Sequence, residues 1–109
     1  MHELSITQSV VEAVMDKTGD ARISRVELEI GRLAGVVADS VAFCFELVTE
    51  GTPLAGARLD IVDIAGRGTC RDCGTEMTLM NLIVLCDCGS ADVEVTEGQE
   101  LRIRSVEVV

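Results

Sequence analysis

Cys70-Arg71-Asp72-Cys73-Gly74 and Cys86-Asp87-Cys88-Gly89 hold four of the chain's five cysteines, with twelve residues between Cys73 and Cys86. Two thiols separated by two residues and followed by a glycine turn make half of a tetrahedral zinc site, because the turn aims backbone N–H groups at sulfur. A second pair closes the tetrahedron. Cys86-Asp87-Cys88 is one residue shorter than the first pair, so it must chelate through a tighter ring or distort. Disulfides are the alternative reading, and they need an oxidising compartment. The chain opens Met1-His2-Glu3, with no basic start, apolar core or cleavage site of an export signal, so a cytoplasmic setting and zinc are expected.

A chain of 109 residues can bury one modest core, so a second lobe has to be small and stapled. Nine Lys and Arg stand against 19 Asp and Glu, a formal net charge of −10 that repels phosphate backbones and anionic membranes. Trp and Tyr are absent, and Phe43 and Phe45 are the only aromatics, which leaves no platform on which bases could stack. No apolar run approaches the ~20 residues that span a bilayer. Nucleic-acid and membrane partners are therefore not expected.

Between Glu3 and Thr18 the apolar residues Leu4, Ile6, Val10, Val11, Ala13, Val14 and Met15 cover more than half of a helical wheel. So broad an arc suits a helix wedged between a sheet and something else, either a second helix or a second copy of the chain as a homodimer. Arg25 to Ile30 alternates as a half-buried strand with Val26, Leu28 and Ile30 inward. A second helix is expected from an Asp39 N-cap to about Glu50, stopped by Gly51, with Cys44 as a small core hydrophobe. Arg58 to Ile64 and Leu101 to Val108 read as further strands. In the last, Leu101 and Ile103 share one face and Val106 and Val108 the other, so the phase slips at Ser105, through either a bulge there or burial on both faces, and Arg102 and Arg104 match Glu27 and Glu29 on an antiparallel neighbour.

The cysteine segment lies between the last two strands, fenced by Gly66, Gly68 and Gly98. The expected fold class is α+β, in two lobes. A lobe of three strands and two helices takes residues 1–66 and 98–109, and a zinc-ribbon-like insertion takes 67–97. So small an insertion cannot fold unaided, but structural zinc supplies an apparent ~10–16 kcal/mol. The run Met77 to Leu85 is either the core of that ribbon or an apolar tip for a partner.

His2 is the only histidine. By itself a terminal histidine is more often a frayed surface residue. Its position offers more, because the Met1 amine, the His2 amide nitrogen and the imidazole Nδ1 together close fused chelate rings around one metal. The Glu3 amide or a side-chain oxygen completes four donors. Planar nitrogen donation suits Ni(II) or Cu(II) and suits zinc poorly.

These residues resemble the HypA/HybF hydrogenase-maturation family of nickel metallochaperones. Met1-His2-Glu3-Leu4-Ser5 is similar to the family's start, Val26 to Gly31 to its V-x-L-E-I-G strand, Cys70 to Gly74 to its first knuckle, and Leu101 to Val108 to its closing strand. The resemblance spans essentially the whole chain. It implies that His2 ligates nickel with main-chain nitrogens of Met1 and Glu3, and that Cys70, Cys73, Cys86 and Cys88 hold zinc. It further implies delivery of Ni(II), with a nickel-handling maturation GTPase, to the precursor of the [NiFe] hydrogenase large subunit, and in some organisms service to urease. Two departures stand out: the second knuckle lacks a residue and the family's proline, and Val36-Val37-Ala38 replaces V-E-P before the second helix.

Two other classes compete. An enzyme needs a base paired with a nucleophile or an open metal position, and neither is recognisable here, so no catalysis is expected. A zinc-ribbon adaptor or a rubredoxin-like iron electron carrier would use similar knuckles, and colour separates the latter, since ferric thiolate is red and zinc thiolate colourless.

Overall fold

The computed structural model describes residues 3–109 and divides its strands between two three-stranded sheets. Helix α1 (Glu3–Thr18) leads into strand β1 (Ile23–Gly31), helix α2 (Ala38–Val48) and strand β2 (Arg58–Ile64). Three short strands follow, β3 (Gly66–Cys70), β4 (Glu76–Leu79) and β5 (Val93–Glu97), before β6 (Leu101–Val108) closes the chain. The molecule is elongated, 53 × 21 × 18 Å.

In the first sheet the order is β2-β1-β6. β1 runs parallel to β2, a pairing that needs a crossover, and α2 supplies it. β6 returns antiparallel to β1, so the sheet is mixed. Val26 and Leu28 are fully buried, and with Ile23, Ile30, Val11, Val14, Val41, Phe45 and Leu54 they form the core between sheet and helices. The opposite face carries charge. Arg25 bonds Asp60, and Arg102 and Arg104 lie 2.5 and 3.3 Å from Glu29 and Glu27, the cross-strand pairing that the sequence indicates. The phase slip is also present: Ser105 faces Glu27 and Ile103 faces Leu28, leaving Arg104 as the extra residue of a bulge.

The second helix differs from expectation at both ends. It begins at Ala38 with Val37 as N-cap and no side-chain cap, so Asp39 lies inside the first turn. The N–H of Val37 is instead accepted by Glu3 Oε2 at 3.3 Å, a contact from α1 that no local sequence rule supplies. At the other end the helix stops at Val48, with Thr49 as C-cap: its N–H makes the last helical bond, to the Phe45 carbonyl, and its hydroxyl donates to the same oxygen. Gly51 adopts φ +75° in the turn beyond it.

Where the two sheets meet, backbone packs on backbone. The N–H groups of Gly31, Arg32 and Leu33 donate to Glu100, Ile64 and Gly98 carbonyls at 2.7, 2.9 and 2.7 Å. A Cβ on Gly31 would sit 2.0 Å from the Gly98 oxygen, and one on Gly98 would sit 2.5 Å from the Gly66 Cα. Leu33, 6% exposed, lies against Gly66 and Gly98 and pins the junction.

Candidate metal centre

Cys70 ends β3, and Cys73 follows in the turn that leads to β4. That turn closes by two bonds, Gly74 N–H to Cys70 carbonyl at 2.8 Å and Cys70 N–H to Thr75 carbonyl at 2.9 Å, with Gly74 at φ +76°. The second knuckle is built the same way with one residue removed. Gly89 N–H donates to the Cys86 carbonyl at 2.9 Å, Cys86 N–H donates to the Ser90 carbonyl at 2.8 Å, and Gly89 sits at φ +91°. Positive φ at both closing positions is why each knuckle ends in glycine. The missing residue is thus absorbed by a turn of four residues where the first knuckle uses five.

The sulfurs show that this shortening does not open the site. Cys70 and Cys88 Sγ are 3.7 Å apart, Cys73 and Cys86 Sγ are 3.6 Å apart, and one donor atom from each of the four residues lies within 4.8 Å of the others. A tetrahedron with Zn–S bonds of ~2.3 Å has edges of about 3.8 Å. The donor set and spacing therefore fit a structural zinc ion, with Cys70 and Cys86 buried and Cys73 and Cys88 toward solvent. With all four positions filled by thiolate, no position is left for water.

The thiols' acidities show what a cation would relieve. The Thr75 hydroxyl, 3.1 Å away, and the Thr75 N–H draw the Cys73 thiol down to about 6. At Cys86 the Cys88 N–H works in the same direction, but burial and the neighbouring thiols prevail and push it up to about 12. Cys88 is raised too, despite the Ser90 N–H. One thiol ionises readily and its crowded neighbours keep their protons, so loading a divalent cation must release protons. Outside the sulfurs, the Ser90 hydroxyl bonds Asp72, and Arg71 pairs with Asp92 at 2.8 Å, tying the two knuckles together. Neither tie was legible in the spacing of the cysteines.

The apolar run from Met77 to Leu85, which begins in β4, divides. Leu79 is buried against Gly66 and Gly68, while Met80, Leu82, Ile83 and Leu85 are exposed. Cys44 is set apart from the cluster and is half-buried rather than in the core. It lines a hollow with Glu3, Leu4, Asp39, Ser40 and Phe43, so the start of α1 meets the start of α2 beside two carboxylates. His2 and Met1, the expected nickel donors, lie outside the described residues; Glu3, the third, opens α1.

A tetrathiolate clip hung by a glycine junction on a small α+β lobe defines a metal-binding protein with a structural zinc lobe. Comparison with known proteins makes this specific. The family model described as "Hydrogenase/urease nickel incorporation, metallochaperone, hypA" matches residues 1–108. The hydrogenase maturation factor HypA of Rippkaea orientalis is 47% identical over 109 residues, covering 99% of this chain and 96% of that one. Its counterpart in Geotalea uraniireducens is 49% identical, covering 99% of each. Among solved structures, the solution structure of the Ni metallochaperone HypA from Helicobacter pylori aligns with a TM-score of 0.67 at 30% identity, over 100% of this chain and 98% of that one. The chain belongs to the HypA family of nickel metallochaperones for hydrogenase maturation.

Proposed function

We propose that this chain binds one Ni(II) at its amino terminus and delivers it to [NiFe] hydrogenase during maturation, with urease as a further destination. The observation that carries the reading is the family match from residue 1 to 108, which takes in Met1-His2-Glu3 as well as the cysteine cluster. Nickel is held by the His2 imidazole and amide, the Met1 amine and the Glu3 amide, a planar nitrogen set that favours Ni(II) over zinc. The four thiolates of Cys70, Cys73, Cys86 and Cys88 hold zinc as a structural ion. Residues 1–66 with 98–109 form the nickel lobe and 67–97 the zinc lobe, joined through Gly31, Gly66 and Gly98.

On this reading the protein carries metal and catalyses nothing. The zinc has no open position, and His2 is the single imidazole. Its partners are a nickel-handling GTPase and the hydrogenase large-subunit precursor, and it works in the cytoplasm. Among the described residues, no helix is long and apolar enough to cross a membrane. The test is complementation in a host whose own copy is deleted. The chain should restore hydrogenase activity at limiting nickel, His2→Ala should not, and excess nickel should bypass the need for either. Full restoration by His2→Ala at limiting nickel would refute the amino-terminal site.

A further inference from the structure

β6 is an edge strand, since in the order β2-β1-β6 only one of its sides is paired. α1 runs beside it without sealing the seam. Two apolar hollows of about 430 and 340 Å³ lie end to end along that seam, the first lined in part by Ile6, Val10 and Leu101, the second in part by Val14 and Val106. Ala13 and Ile103 line both. Leu101 and Val108, at the two ends of the strand, remain 37% and 53% exposed.

The bulge gives this edge an unusual symmetry. Leu101, Ile103, Val106 and Val108 lie opposite Ile30, Leu28, Val26 and Ile23, all core residues, and so face the helices. Arg102, Arg104, Ser105 and Glu107 face the charged side, where Arg104 and Ser105 both approach Glu27, at 3.3 and 3.5 Å. The facing of the strand's residues is therefore the same in both directions: inward, outward, inward, outward, outward, inward, outward, inward. Laid antiparallel on a copy of itself about an axis between Arg104 and Ser105, it sets Leu101 against Val108, Ile103 against Val106 and Arg102 against Glu107. A regular strand centred between two residues would bring opposite faces together; the extra residue corrects the phase.

We propose that β6 pairs in this register with the β6 of a second copy, giving one six-stranded sheet and closing the α1–β6 seam. Arginines and a bulge are also devices that keep strangers off an edge. Here the charges fit the chain's own copy, because Arg102 meets Glu107 twice across the two-fold. Antiparallel pairing also sets the two starts of α1, which lie beside Leu101, at opposite ends of the joined strands, roughly 20 Å apart. Each copy would then keep its own amino-terminal metal.

The test is sedimentation of the untagged, zinc-loaded full chain across the micromolar range, with hydrogen exchange at its two ends. Dimerisation with protection rising over residues 101–108 is expected. R102E or E107R should each weaken the dimer about tenfold, since each reverses two symmetry-related pairs. The double variant should recover to within about threefold of the parent, even though inside the chain it loses both the Arg102–Glu29 and Arg25–Glu107 contacts. A chain that stays monomeric, a dimer whose protection rises elsewhere, or a double variant as weak as the singles would overturn the proposal.

Discussion

Gly98→Ala is expected to unfasten the two lobes without touching a metal ligand. Gly98 has φ +107°, a conformation that costs an L-residue ~1–2 kcal/mol or more, and its new Cβ would lie 2.5 Å from the Gly66 Cα and 3.2 Å from Leu33 Cγ. Both glycines belong to backbone held by hydrogen bonds, so the clash cannot be relieved by turning a side chain. Overpacking of this kind costs a further ~1–3 kcal/mol, for a total of about 2–5. Gly35→Ala is the control, with φ +72° but nothing within 4 Å of its Cβ, so it should cost only the ~1–2 kcal/mol of backbone strain. In thermal unfolding of zinc-loaded protein, Gly98→Ala should lower Tm by roughly 10 °C or more and Gly35→Ala by clearly less. Hydrogen exchange should rise at residues 31–33 and 98–100, while zinc stays bound. Equal losses of stability in the two variants would show that the junction is not close-packed and that the glycines serve only the turns.

Cys73→Ala should release zinc and raise hydrogen exchange across β3, β4 and β5, leaving α1 and the first sheet largely protected; uniform loss of protection would contradict a separately stapled lobe. Inserting a glycine between Asp87 and Cys88 should speed zinc loss to a chelator, because the four-residue turn already sets the sulfurs at tetrahedral spacing; slower loss would show that the native knuckle is strained. Asp60 is held below the usual carboxylate range first by its hydrogen bond from Arg25 and then by that from Arg58. Because its folded pKa is the lower one, its stabilisation is present above the ordinary carboxylate pKa and is lost as pH falls through the depressed value. Asp60→Asn should therefore be less stable than the parent at neutral pH, with the gap closing in acid. A gap that is independent of pH would remove the ion pair as its cause.

Much of this was legible in the sequence because it is written in local periods. The alternation of Val26, Leu28 and Ile30 and the slip near Ser105 encode which side faces the core, and the folded chain obeys them; the wheel of Glu3 to Thr18 holds at Ile6, Val10, Val11 and Val14, whereas Leu4 and Ala13 are exposed and Thr7 is buried. What was hidden depends on contacts distant in sequence. The start of α2 is fixed by Glu3, 34 residues away, and not by Asp39. β3 reads Gly66-Arg67-Gly68-Thr69-Cys70, with no side-chain alternation to announce a strand; it exists because β4 and β5 flank it. Leu54 is fully buried although it sits in a run of turns, because the Phe45–Val26 core closes over it. The four clustered cysteines were visible by spacing, whereas the Asp72–Ser90 and Arg71–Asp92 ties between the knuckles were not.

The proposed nickel site needs a free amino terminus and His2, while zinc stays in the thiolate clip. Titration of the untagged protein with Ni(II), followed by elemental analysis and an absorption spectrum, tests it most directly when run beside a version carrying an extension before Met1. About one tightly held zinc is expected in both proteins, and one exchangeable Ni(II) with a diamagnetic planar spectrum in the untagged protein alone. Because the chelate needs a neutral imidazole and a neutral amine and expels an amide proton, affinity should fall steeply below neutral pH. The same nickel stoichiometry, affinity and spectrum with the extension in place would rule out the amino-terminal chelate and assign the nickel to other donors.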